Sequence, residues 1–218
     1  MNREFLARWG WRRYASSVAL SRARSAGMHL VRVVLRPTEF PDAEELERRY
    51  SIRLEGATAL QQLSDESRAE MDLSGEFLRR AVEAPFDAVT LHDRRGLAAY
   101  FWFSRHKVPA PETHEVDVIV DHDRYTYGFK AFVRKDLRGF GLGQRLLIGS
   151  NALLRAEGIE GVASYVNPDN FSARRHSSKA GGVPVGWAGF QHGPDRLRQF
   201  SSSGARAVGF QFVPANRP

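Results

Sequence analysis

The stretch Val133-Arg134-Lys135-Asp136-Leu137-Arg138-Gly139-Phe140-Gly141-Leu142-Gly143-Gln144-Arg145-Leu146-Leu147 decides how this chain is read. Strand-like residues, Tyr125 to Val133, precede the turn, and Leu142 to Glu157 carries Leu146, Ser150, Leu153 and Leu154 at helical spacing. A glycine-rich turn is therefore expected where a strand feeds a helix. The first amides of a helix lack internal partners, so such a turn points several N–H groups and the positive dipole end at one spot, which suits a phosphate. Glycine at 141 and 143 keeps side chains out of that cradle and tolerates unusual dihedral angles, while Arg138 and Arg145 add charge. Other phosphate loops fit worse: a dinucleotide fingerprint needs a third glycine where Gln144 stands, and a P-loop needs Gly-Lys-Ser/Thr.

Outward from the turn, Gly158-Ile159 reads as a left-handed helix cap with its apolar follower. Val162 to Val166 is a short strand, Asn167 to Asn170 a turn, and Ser172 to Ala180 a helix stopped by Gly181-Gly182. Two late strands are expected near Val183 and over Ala205 to Val213, with Ser201-Ser202-Ser203-Gly204 as a loop. Towards the N-terminus, His29 to Arg36 is a first strand closed by Pro37, and residues 42–80 read as mainly helical, with starts at Asp42 and at Ser64-Asp65. Asp87 to His92 and Leu97 to Ser104 form a hairpin around Asp93 to Gly96, and Glu115 to Val120 adds a strand. This order favours a mixed α/β sheet.

The absence of cysteine excludes disulfides and thiolate metal sites, and the seven histidines show no His-x-x-x-His spacing, so no metal is expected. No run approaches the roughly 18 apolar residues of a membrane span, and no signal-peptide core opens the chain, so a cytoplasmic location is expected. The formal charge of +7 resides wholly in residues 1–36, which hold eight arginines against Glu4. From Asn2 to about Ala26 those arginines mix with Phe5, Leu6, Trp9, Trp11, Tyr14 and Val18. Such a helix either rests on an anionic surface, peripherally at the inner membrane face, or packs on its own domain.

Arg138-x-x-Gly141-x-Gly143, after a strand and before a Leu-Leu-containing helix, resembles the coenzyme A signature of the GNAT superfamily of acyl-CoA-dependent N-acetyltransferases. About thirty residues on, Asn167-Pro168-Asp169-Asn170-Phe171-Ser172-Ala173, then Lys179-Ala180-Gly181, is similar to the family's later strand, turn and helix. The resemblance spans Tyr125 to about Gly182. It implies a GNAT-like α/β fold, a mixed and mostly antiparallel central sheet flanked by helices. Residues 1–27 would be a basic aromatic arm and residues 28–218 the acyltransferase domain. It also implies acetyl-CoA or another acyl-CoA as co-substrate, without metal, and direct attack by an amine in a ternary complex. Carried over by position, Ala131 and Val133 offer main-chain groups to the pantetheine arm, with the Val133 N–H polarising the thioester oxygen. Arg138 and the amides of Gly139, Phe140, Gly141, Leu142, Gly143 and Gln144 hold the pyrophosphate. Asn170 and Ser172 match positions near the pantetheine or acyl end.

A lysine-like amine is only about 0.04% neutral at pH 7, so a base or a desolvated site has to help it attack. Where many relatives carry a glutamate base this chain has Tyr127, and where they carry a tyrosine acid it has Ser177 beside His176; glycine replaces an aromatic at Gly182. Tyr127 and Ser177 are thus the candidate catalytic positions, with Glu115, Asp117, Asp121 and Asp123 as nearby carboxylates. Other readings are a GNAT-like sensor that binds acyl-CoA without turnover, a nucleic-acid binder acting through the basic arm, and an Asp-x-Asp glycosyltransferase at Asp121-His122-Asp123. The neutral remainder of the chain argues against nucleic acid. The acceptor is left open between a small-molecule amine, a lipid-linked amine and a protein amine, as is the oligomeric state.

Overall fold

The computed structural model describes residues 11–39, 50–84, 86–111, 113, 115–192 and 197–215. Helix α1 (Trp11–Ser25) turns at Gly27 into strand β1 (Met28–Pro37). There follow β2 (Ser51–Gly56), α2 (Ala57–Gln61), α3 (Asp65–Glu70), α4 (Gly75–Glu83), β3 (Asp87–Asp93) and β4 (Gly96–Ser104). Next come β5 (Val108–Pro109), β6 (Val116–Ile119), β7 (Tyr125–Val133), a 3-10 turn (Lys135–Leu137), α5 (Leu142–Ala156), β8 (Gly161–Val166) and α6 (Phe171–Lys179). The described chain closes with β9 (Val183–His192), β10 (Leu197–Ser201), α7 (Ser203–Ala207) and β11 (Gln211–Pro214).

Eight strands form one sheet in the order β10-β9-β1-β8-β7-β4-β3-β2, and β11-β6-β5 form a second. Only the β7–β8 pairing is parallel among the described strands. The expected fold, a mixed and mostly antiparallel sheet flanked by helices, is the one observed. Every side chain of β4 from Leu97 onward is buried, as befits a central strand covered on both faces. On one face Val89, Leu91, Phe101 and Phe103 meet Leu146 and Leu154 of α5. On the other, Tyr100, Trp102, Tyr127 and Phe190 pack with Leu60, Leu78 and the small sheet's Val118 and Phe212. Helix α5 presents Leu142, Leu146, Ser150 and Leu154 at four-residue spacing and ends as its sequence signals. Gly158 takes φ 74°, and the buried Ile159 donates its N–H to Leu154 O.

Three expectations needed correction. Residues 51–56, read as part of a helical stretch, form the edge strand β2, because Ile52 and Leu54 alternate with polar neighbours and pair with Leu91 and Val89. The serine run is not a loop: Ser202 Oγ accepts the N–H of Ala205 and caps α7, so residues 203–207 are helical where a strand was expected. The strand missed there is β10. The helix start expected at Asp42 lies outside the described residues, as do the apolar residues Phe5, Leu6 and Trp9.

The position of β1 was not anticipated. It lies inside the sheet, antiparallel to both β8 and β9, with Arg32 opposite Val166 on one side and Trp187 on the other. Helix α1 consequently comes to rest near α6. Arg24 forms an ion pair with Asp169 in the turn before α6, and the Arg13 guanidinium lies 4.9 Å from the Phe171 ring centre.

Candidate functional site

Strands β7 and β8 pair only from Tyr125 opposite Gly161 to Tyr127 opposite Ala163. Beyond that point they part, and a cleft of about 170 Å³ opens, lined among others by Ala131, Ser164, Tyr165, His176 and Ser177. The other edge of β7 stays paired with β4. Because the Arg134 N–H donates to Ala98 O, in register with Phe132 opposite Tyr100, antiparallel alternation turns the main-chain groups of Ala131 and Val133 away from β4 and towards the parting.

The turn after β7 is held by its own side chains. Arg138 Nε donates to Val133 O at 3.1 Å while its guanidinium lies over the Phe132 ring. Arg134 is buried, donating to Asp136 at 2.9 Å and to Asp93 at 2.5 Å in the β3–β4 turn. Burial disfavours its charge, but the hydrogen bonds to Asp93 and Asp136 outweigh that and hold its pKa above the ordinary arginine value. Gly139 and Gly141 then take φ 88° and 75°, left-handed values that glycine adopts without steric cost.

Gly141 is the N-cap of α5 and supplies no side-chain bond there, unlike Ser64, Ser74, Asn170 and Ser202, each of which caps its own helix. The first intrahelical bond runs from Arg145 N–H to Gly141 O, so the amides of Leu142, Gly143 and Gln144 carry no bond from a preceding turn. The two glycines are needed for different reasons. A Cβ at Gly141 would meet no atom within 4 Å, so the positive φ, not crowding, demands glycine there. At Gly143 a Cβ would lie 3.2 Å from His176 Cε1 and 3.3 Å from Val133 Cγ2, so glycine there lets helix, strand and α6 pack closely.

Of the residues expected to hold a cofactor, Ala131 lines the cleft, and Gly143 packs against Val133 and against His176 of the cleft wall, while the rest of Arg138 to Gln144 is not part of its lining. Gln144 spends its side chain as a tie, Nε2 donating to Lys179 O at 2.8 Å. Phe140 is 71% exposed, whereas the Leu142 side chain is buried beneath the turn. Asn170 Oδ1 already accepts the Ala173 N–H at 3.0 Å, and Ser172 sits in the first turn of α6. Tyr127 is buried in an aromatic stack with Phe129 and Tyr165, while Ser177 lines the cleft. The Asp121 to Asp123 segment forms a turn, Asp123 N–H donating to Asp121 Oδ1, and neither residue lines the cleft.

Two cleft residues had little or no sequence signal. Arg36 of β1 is buried and donates to Leu147 O, Asn151 Oδ1 and Ser150 Oγ of α5. Burial lowers its pKa to about 10, so it stays charged at neutral pH. His176 is held below the ordinary histidine value, first by burial and then by Lys179, which favours its neutral form near pH 7. Among the described residues no aspartate or glutamate lines the cleft.

No protein-family model and no curated protein matches the chain. The solved structures that resemble it include GNAT acetyltransferases. A tandem GNAT protein from the clavulanic acid biosynthesis pathway aligns over 91% of this chain at 14% identity with a TM-score of 0.46; this chain spans 58% of its length. A GNAT-family acetyltransferase from Colwellia psychrerythraea aligns over 80% of this chain and 56% of its own, at 13% identity and a TM-score of 0.49. An aminoglycoside N-acetyltransferase solved with CoA covers 61% of this chain and 86% of its own, at 14% identity and a TM-score of 0.41. Likeness at this level decides nothing about chemistry, which has to come from the cleft.

Proposed function

We propose that the chain transfers an acyl group, in the simplest case acetyl, from acyl-CoA to an amine acceptor. The observation that carries this is the uncapped N-terminus of α5 beside the parting of β7 and β8. Amides suited to an anion open α5, and a strand edge suited to an extended arm lies on β7 where it parts from β8. The residues fit the co-substrate: the amides of Leu142 to Gln144 suit its pyrophosphate, and the main-chain groups of Ala131 and Val133 suit its pantetheine. Acyl-CoA supplies an activated thioester carbonyl. The Val133 N–H is proposed to steady negative charge growing on that carbonyl oxygen. The neutral acceptor nitrogen bonds to the carbonyl carbon, the carbon–sulfur bond breaks with its electron pair going to sulfur, and the proton that the nitrogen loses ends on that sulfur, leaving an amide and the free thiol of coenzyme A.

The division into an arm, residues 1–27, and an acyltransferase domain, residues 28–218, belongs to the same proposal, as does a cytoplasmic setting with peripheral contact to an anionic leaflet. No helix among the described residues is long and apolar enough to cross a membrane. A small-molecule or lipid-linked amine is the proposed acceptor class; two of the solved structures are an aminoglycoside acetyltransferase in complex with trehalose and with sisomicin. That no carboxylate among the described residues lines the cleft favours one second reading, an acyl-CoA sensor without turnover. Calorimetric titration with coenzyme A and acetyl-CoA, followed by an acceptor screen for thiol release, separates the two. Binding with release supports the transferase, binding without release across amine classes supports the sensor, and no binding at millimolar concentration sinks both.

A further inference from the structure

A cluster of arginines lies beside the acyl cleft, not in it. A second cavity, of about 460 Å³, is bounded by α1, β1, β9 and α6, and four of its lining residues are Arg13, Arg32, Arg174 and Arg175. Among the described residues no acidic side chain lines it. Asp169, in the turn before α6, is paired with Arg24. Arg13 and Arg174 both lie against the Phe171 ring, at 4.9 and 5.6 Å from its centre, and Arg32 lies 5.8 Å from the Trp187 ring. Aromatic faces thus position three guanidinium groups. Arg174 is further fixed by donating to Pro168 O at 3.2 Å.

Like charges gathered around a partly enclosed space repel one another, and the repulsion registers on Arg174. Its pKa is lowered by burial first, and then by Arg32 and Arg13. A multiply charged oxyanion relieves such repulsion, and planar guanidinium forks match phosphate oxygens two at a time. The volume falls in the range of ordinary small-ligand sites. Val34 and Ser177 line both this cavity and the acyl cleft, so the two spaces adjoin.

We infer that the arginine cavity binds a phosphate or diphosphate group carried by the acyl acceptor, so that the acceptor is a phosphorylated amine. Naming the ligand as acceptor rests on the proposed acyl transfer; the anion site itself does not. The phosphate belongs to a soluble compound or to a lipid. The exposed Trp187 and Phe200 on the neighbouring strands give the lipid source an apolar contact.

The test titrates inorganic pyrophosphate into the full chain, with and without saturating coenzyme A, because pyrophosphate also fits the α5 amides. A saturable site that persists under coenzyme A is expected. Arg174→Gln with Arg175→Gln should weaken it at least tenfold while coenzyme A affinity stays within twofold, and Arg175→Gln alone, the milder change, should show a smaller loss. The inference is overturned by no saturable pyrophosphate binding, by a single site that coenzyme A displaces, or by a double variant that loses coenzyme A as strongly as pyrophosphate. The last result would assign the cavity to the cofactor. Should coenzyme A itself fail to bind, the titration without it still reads the cavity, so the two proposals fail separately. Sedimentation with phosphatidic acid vesicles distinguishes the sources. Vesicle binding that pyrophosphate displaces and the double variant loses assigns a lipid phosphate; pyrophosphate binding with vesicle binding absent assigns a soluble one.

Discussion

Replacing each of two neighbouring glycines by alanine should separate the two requirements of the turn. Gly141→Ala places a side chain at φ 75°, where an L-residue costs roughly 1–2 kcal/mol, with no clash to add because nothing lies within 4 Å. At about 2–4 °C per kcal/mol for a chain of this size, the melting temperature should fall by about 2–8 °C. Gly143→Ala is the reverse case. Alanine is preferred to glycine inside a helix by up to about 1 kcal/mol, which offsets the contacts at 3.2 and 3.3 Å to His176 and Val133, so the melt should move by no more than about 2 °C. The methyl group, however, pushes on His176 and Val133 at the mouth of the cleft. Coenzyme A affinity should fall about tenfold or more in Gly143→Ala. Thermal melts paired with calorimetry read both quantities on the same samples. A Gly141→Ala variant that melts like the parent, or a Gly143→Ala variant that binds coenzyme A unchanged, refutes the assignment of backbone conformation to one position and close packing to the other.

Other outcomes follow from the same structure. Asp93→Asn leaves the buried Arg134 only partly paired, and with Asp136 still in place the loss should be about 3 kcal/mol, measured by denaturant unfolding. His122 and His176 are both held below the ordinary value of 6.5, mainly by burial, so the unfolded chain takes up protons first and stability should decline as pH falls through about 6.5. Asp93 is lowered: burial opposes its ionisation, but hydrogen bonds from Arg134 and Arg95 prevail, so its contribution persists at neutral pH and is lost only as pH drops through its depressed value. A melting temperature flat from pH 7 to 5 would contradict the histidine argument. Ser177→Ala should lower turnover by less than tenfold, since loss of a true general acid usually costs about a hundredfold or more.

The parts of the fold written in local sequence were the parts that could be read. Gly141, Gly143 and the apolar repeat of α5 announce a turn and a helix, and Gly158-Ile159 announces its end, because each depends on residues a few positions apart. Strand β2 was hidden because Ile52 and Leu54 make only a short alternation within a stretch rich in helix-forming residues. Ser202 was hidden among three serines of which one caps a helix. The arginine cavity was only half legible, since Arg13 and Arg32 belong to the basic N-terminal stretch, but only tertiary packing brings them to the pair Arg174-Arg175. Tyr127 matched a catalytic position by spacing, yet its environment is an aromatic core, and spacing carries no information about which way a ring is packed.

The seat of β1 also sets an order of assembly. Its partners are β8 and β9, and its Arg36 bonds to α5 span more than a hundred residues of chain. During synthesis this strand emerges early and waits, its two hydrogen-bonding edges unmatched, until most of the domain has followed. Such long-range closure is entropically slow. The acyl cleft and the arginine cavity share Val34 of that strand as a wall, so neither site exists until the first and last thirds of the polypeptide have met.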